Sequence, residues 1–250
     1  MLSSAALQPF LDRLTSRSLL SRQEQQLILG LPTRARQTRP NEDFVSLGEE
    51  TDKVCIVVAG LVGRFDQNAR GDRQITALHI AGDMPDLHSV VQQTARSALQ
   101  ALSISTIIEI PHAALRSAAA NHPAIAEAFW RDCMVDSIIL AQWVVNVGRR
   151  DALSRLAHLL CEMACRYNTE PVNGIASFEL PITQAQLADA TGLTPVHVNR
   201  TLKKLAEIGT TLHDKRVRIV DWDALVEIGD FDRGYLQEDI LPDQRMWITE

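Results

Sequence analysis

The stretch from Leu180 to Asp221 admits few folds, because its caps and turn residues are spaced for two short helices meeting at a tight corner. Thr183-Gln184-Ala185-Gln186 has the capping-box pattern, in which a hydroxyl and a side-chain amide satisfy the first free backbone groups of a helix. That helix continues through Leu187, Ala188, Asp189 and Ala190. Gly192 can take the left-handed conformation that turns the chain sharply. Thr194 then caps a second helix, with Pro195 at its first position, where a missing amide costs nothing. Val198, Leu202 and Leu205 stand at i, i+4 and i+7 and are expected in the core. Val196, Asn199, Arg200 and Lys203 form a separate face. Ala188 is small, as a close helix crossing requires. These are helix-turn-helix dimensions, and the second helix has the size to enter a major groove.

The residue types on that face suit nucleic acid. Arg200 can bond a guanine bidentately, and Asn199 can read an adenine edge or hold a phosphate. Val196 and Pro195 offer apolar contact to a thymine methyl. Thr194 and His197 are expected at phosphates, and Thr183 joins them from the first helix. Leu212 to Val220 reads as a hairpin with His213-Asp214-Lys215 at its tip. Arg216 and Arg218 alternate along it and, with Lys215, are expected to grip the DNA backbone as a wing. An ordinary helical hairpin with a charged surface is the plainer alternative. The net charge of −6 argues against a polyanionic partner only on average. Between Thr194 and Arg218 six bases face two acids, whereas Asp221 to Glu250 holds nine acids against two bases. A local patch, not the mean, decides whether phosphates are attracted.

The remainder of the 250 residues predicts an α+β chain. Residues 1–35 read as short helices with Leu11, Leu14, Leu19, Leu20, Ile28 and Leu29 as core candidates. From about Asp43 to Ile110 strands and turns alternate. Val54 to Val62 reads as one buried strand, Asn68 to Asp72 as a turn, and Gln74 to Ile80 as a returning strand. Gly82-Asp83 is a further turn, and Ser97–Leu102 and Thr106–Ile110 are two more strands ended by Pro111. This spacing suggests a β-roll or jelly roll. The period then becomes helical, over 112–120 and from Pro123 to about Val147. The second half of the longer helix is apolar nearly all round, so its own domain or a second copy must cover it, and dimerisation is the preferred reading. A helix over Asp151–Tyr167 and a linker over Asn168–Ser177 follow. The expected domains are 1–120 (β-roll sensor), 121–150 (dimerisation helix), 151–230 (winged helix-turn-helix) and 231–250 (acidic C-terminal tail).

Other constellations say less. With 46% hydrophobic and 22% charged residues, the chain can bury a core. Cys55, Cys133, Cys161 and Cys165 have no disulfide-framework spacing, which argues for reduced thiols in the cytoplasm. Packing is the expected role of Cys133, Cys161 and Cys165, with thiol sensing as the alternative. Met1–Phe10 lacks the pattern of a signal peptide, and the apolar run Cys133–Val147 is too short for a bilayer, so no membrane partner is expected. His79 and His88 with Asp86 match no strong metal motif. Trp130, Trp143, Trp222 and Trp247 read as packing residues. No catalytic constellation stands out, so an enzyme is not expected. A cupin-like β-roll binding a metal or small molecule is the alternative from another class.

The chain resembles the Crp/Fnr family of transcription regulators. The resemblance is carried by Leu180 to Ala188 and Thr191 to Leu202, and in the N-terminal half by Val57-Val58-Ala59-Gly60, Asn68 to Ile75 and Ile80-Ala81-Gly82-Asp83. It implies a cyclic-nucleotide-binding-like β-roll and a homodimer on a palindromic operator of double-stranded DNA, activating or repressing by promoter context. RNA polymerase is the further partner expected. Two departures matter. Val196 stands where the family's base-reading helix often carries a glutamate. Pro85-Asp86 stands where the nucleotide pocket has Gly-Glu; Asp is one methylene shorter and Pro lacks a donor. Arg96-Ser97 does match the phosphate-binding pair. The candidate effector pocket is therefore Asp86, His88, Arg96 and Ser97, with a cyclic nucleotide not expected in it. Members with an iron–sulfur cluster use mostly N-terminal cysteines, and this chain has none before Cys55, so no cluster is expected.

Overall fold

A computed structural model describes residues 2–169, 171–238 and 241–245. Trp247, and Asp239 and Glu250 of the acidic C-terminal stretch, lie outside that set. The chain divides into two compact units: 1–64 with 78–138 and 237–250, and 65–77 with 139–236. Among the described residues, no helix is long and apolar enough to cross a membrane.

The first unit opens with helices α1 (Leu2–Thr15) and α2 (Arg22–Leu29). Ser21 and Glu24 close a capping box on α2. The strands that follow along the chain are β1 (Arg34–Thr38), β2 (Asp43–Val45), β3 (Lys53–Ala59), β4 (Val62–Gln67), β5 (Arg73–His79), β6 (Ala98–Ala101) and β7 (Ser105–Pro111), with residues 65–77, from β4 into β5, counted in the second unit. They form two sheets, ordered β1-β7-β3 and β2-β6-β4-β5. Antiparallel register sets Ile108 between Ala35 and Ile56. Alternation along β3 and β7 then serves two cores. Val54, Ile56, Ile108 and Ile110 face α1, with Leu7, Phe10, Leu11 and Leu14. Cys55, Val57 and Ile107 face inward with Val45, Val62 and Leu99. Helices α3 (His112–Asn121) and α4 (Pro123–Arg149) complete the first core with Leu115, Ile125 and Phe129.

Three expectations are corrected here. Arg34–Thr38, a region read as helical at its start, forms an edge strand on β7. Leu19, Leu20 and Leu29 are only half-buried, and of these Leu20 and Leu29 pack against the edge of the first core. The run Val54–Val62 is two strands, broken at Gly60. There φ is +93°, and a Cβ would lie 2.3 Å from the Ser105 hydroxyl, so only glycine fits.

The first half of α4 is held by buried ion pairs. Arg13 pairs with Asp132 at 2.6 Å and also with Asp83, and Arg17 reaches Asp132 at 3.4 Å. Arg64 pairs with Asp136 at 2.8 Å.

The second unit is built round α5 (Ala152–Arg166), capped by the Asp151 carboxylate. Leu156, Leu159, Leu160, Met163 and Ala164 are buried along it. Around it lie β8 (Ala176–Glu179), α6 (Gln184–Thr191), α7 (Pro195–Glu207), β9 (Thr210–His213), β10 (Arg216–Ile219) and α8 (Trp222–Gly229). The sheet order is β8-β10-β9. Strand β8 begins within the end of the expected linker, where Ala176 pairs with Ile219 and Ser177 with Arg218. Residues 231–236, expected in the acidic tail, pack instead: Phe231 and Leu236 are buried, and the Tyr235 hydroxyl donates to Glu162 at 2.8 Å. Glu162 is fully buried and also accepts from the Trp143 indole N–H at 3.0 Å. Trp143 is thus the packing residue expected, whereas Trp130 is 60% exposed and Trp222 half-buried.

Candidate nucleic-acid interface

The two caps set the interface. Thr183 accepts from the Gln186 amide while Gln186 returns to the Thr183 amide at 2.8 Å, closing the box on α6. Gly192 ends α6 in the left-handed region, at φ +64°. Thr194 accepts from the His197 amide and starts α7, with Pro195 in its first turn. Neither α6 nor α7 carries an acid in its first turn. Their positive ends therefore face outward without a carboxylate to repel phosphate.

Helix α7 divides by face as its spacing predicts. Val198 and Leu205 are fully buried, and Leu202 is half-buried. Thr201 is buried too, its hydroxyl donating to the His197 carbonyl at 2.9 Å. Thr194, Pro195, Val196, His197, Asn199, Arg200 and Lys203 are all exposed, as is Thr183. Gln184 belongs to this surface and was not singled out by spacing: its side-chain oxygen accepts from the Asn199 amide at 3.4 Å. That bond leaves Asn199 its own oxygen and one N–H, the donor–acceptor pair that an adenine edge matches.

The wing forms where expected. Asp214 and Lys215 turn it with φ of +47° and +61°, the doubly left-handed conformation of a tight hairpin. Val217 and Ile219 are buried, which sends Arg216 and Arg218 to the exposed face. Glu179 stands opposite Arg216 on β8 and tempers the charge there.

The second candidate site lies in the β-roll. Asp86, His88, Arg96 and Ser97 line one cavity together with Thr51, Arg64 and Ser89. Its free space is about 20 Å³, room for a single water. Asp86 is buried; one oxygen accepts from the Cys55 amide at 2.8 Å and the other has no hydrogen-bond partner. Burial pushes its carboxyl up to about 7. Arg64 was not anticipated; its guanidinium donates to the Pro85 carbonyl at 3.2 Å as well as to Asp136. These residues do not fit a cyclic nucleotide. The space is too small, the acid is buried with one oxygen held by the Cys55 amide, and Pro85 offers no donor.

His79 is buried beside Asp83 at 3.6 Å. Among the described residues no three potential metal ligands gather. All four cysteines are free thiols. Burial pushes Cys133 up to about 12 and raises Cys55 and Cys161 as well, which makes them poor nucleophiles.

Comparison with known proteins agrees with this geometry. Residues 154–228 match the Crp-like helix-turn-helix domain, and residues 35–122 match the cyclic nucleotide-binding domain. The chain is 27% identical over 202 residues to the nitrogen fixation regulation protein FixK of Azorhizobium caulinodans, covering 80% of each. It is 21% identical over 210 residues to an anaerobic regulatory protein of Haemophilus influenzae, covering 84% of this chain and 81% of that one. The solved structure of FixK2 from Bradyrhizobium japonicum superposes with a TM-score of 0.71 at 25% identity, over 79% of this chain and 98% of that one. The two matched domains together take in well over half of the residues, in the order that the fold presents them, and the chain belongs to the Crp/Fnr family of DNA-binding transcription regulators.

Proposed function

We propose that the protein acts as a cytoplasmic homodimer on a palindromic operator, each copy laying α7 in one of two major grooves about one DNA turn apart. The observation that carries this reading is the division of α7, polar and basic outward over a buried opposite side. Within it Arg200 reads guanine and Asn199 an adenine edge. Thr183, Thr194, His197 and Lys203 hold phosphates, while Lys215, Arg216 and Arg218 grip the flanking backbone. Arg200 and Lys203 have no ion pair among the described residues, so docking need not break one.

Dimerisation is supported by α4. Trp130, Met134, Ser137, Ala141, Val144 and Gly148 recur at alternating steps of four and three and are all exposed. This is the seam of a two-helix coiled coil, with small residues where backbones come close. On the promoter, RNA polymerase is the expected partner. The cavity round Asp86 does not serve a cyclic nucleotide in this reading.

The test is operator binding by fluorescence anisotropy, using a duplex selected from a random pool. Arg200→Ala is expected to lose roughly 1–3 kcal/mol of specific affinity and to keep most of its salt-dependent, non-specific binding. Equal operator affinity in variant and wild type would remove Arg200 from base reading.

A further inference from the structure

Val196 follows Pro195 on an exposed face whose other members are polar or basic. It is 79% exposed, one turn before Arg200, and Thr194, His197, Asn199 and Arg200 around it are exposed as well. It fills no core, since Val198 and Leu205 occupy the opposite side. A β-branched side chain in a helix holds one strongly preferred rotamer, so its methyl groups are already fixed before any docking.

A valine has neither donor nor acceptor. In the major groove thymine shows an oxygen acceptor at C4 and cytosine an amino donor, and a hydrogen-bonding residue tells them apart. Valine cannot. What it can contact is the methyl group at C5, the one apolar feature on that edge. Thymine carries this methyl, and so does 5-methylcytosine, beside the amino group of cytosine. We propose that Val196 makes α7 a reader of the C5 methyl group itself, so that methylating a cytosine at one position of each half-site strengthens binding. This rests on α7 being the base-reading helix.

The experiment compares four duplexes at each thymine position of the selected half-site: thymine against uracil opposite adenine, and 5-methylcytosine against cytosine opposite guanine. Each pair differs by the methyl group alone. At one position both methylated members are expected to bind about fourfold tighter, the worth of burying one methyl. Both ratios should fall to near one in Val196→Ser. Val196→Glu should instead favour cytosine, methylated or not, over thymine and uracil, because a carboxylate accepts from the amino group that both cytosines carry. The proposal is overturned if no position shows the methyl dependence in both pairs, or if the dependence survives in Val196→Ser. If selection enriches no sequence at all, α7 does not read bases and the proposal falls with that reading. An enriched sequence indifferent to the methyl overturns the role of Val196 alone.

Discussion

Asp86 shows how a single side chain couples the fold to pH. Its carboxyl is pushed by burial from an ordinary 3.8 to about 7, so the folded chain keeps a proton that the unfolded chain releases. Its stabilising effect is complete below about pH 4 and is lost as pH rises towards 7, by at most about 4 kcal/mol. Asp86→Asn keeps the acceptor for the Cys55 amide and removes the titration. Urea midpoints should then change less between pH 5 and pH 8 than in wild type, with a gain at pH 8. A variant as pH-dependent as wild type would show that Asp86 is not the source. At this scale the sequence disclosed what is local. Thr183, Gly192, Thr194 and Pro195 act on backbone within four residues, and their roles follow from spacing. Arg64 was not legible, because its partners Pro85 and Asp136 come from distant parts of the chain.

Among the elements, α5 is the one on which the second unit depends. Its fully buried Glu162 accepts from the Trp143 indole and the Tyr235 hydroxyl and pairs with Arg166 at 3.3 Å. Glu162→Ala removes the buried acceptor that all three share and is expected to cost roughly 3–5 kcal/mol. Trp143→Phe loses one hydrogen bond, about 1 kcal/mol. Denaturant melts of the two variants should differ in that order, and equal midpoints would mean the carboxylate is dispensable. The elements that spacing missed are short strands. Arg34–Thr38 has one buried residue, Thr38, and no apolar alternation; it is a strand because β7 offers it an edge. Ala176–Glu179 does alternate, with Ala176 and Phe178 buried, yet four residues after a Pro- and Gly-containing segment are too few for periodicity to register.

For the molecule as a whole, the exposed seam of α4 predicts its assembly. Val144 is 62% exposed at the seam, where apolar burial against a second copy would be undone by charge. Val144→Glu is expected to sediment as a monomer and to bind a full palindrome no better than a half-site, while its melting temperature at fixed pH shifts little more than dissociation itself requires. A monomeric wild type would reject the dimer outright. The order of parts from β-roll to long helix to winged helix was readable in advance, since each has its own hydrophobic period. The end of the chain was not. Its acids suggested a solvated tail, but Phe231, Tyr235 and Leu236 are apolar enough to fold back onto α5.

The tip of the wing sets a limit on how far this protein could be stabilised. Asp214 and Lys215 both hold positive φ without a glycine between them, a conformation that an Asn-Gly pair adopts with less strain. Replacing them would relax the loop and slow its fraying. It would also delete the ammonium group at the outermost point of the hairpin, the one proposed to meet the DNA backbone first. A tougher wing would on that account be a weaker grip, and selection for tight operators would keep the awkward lysine.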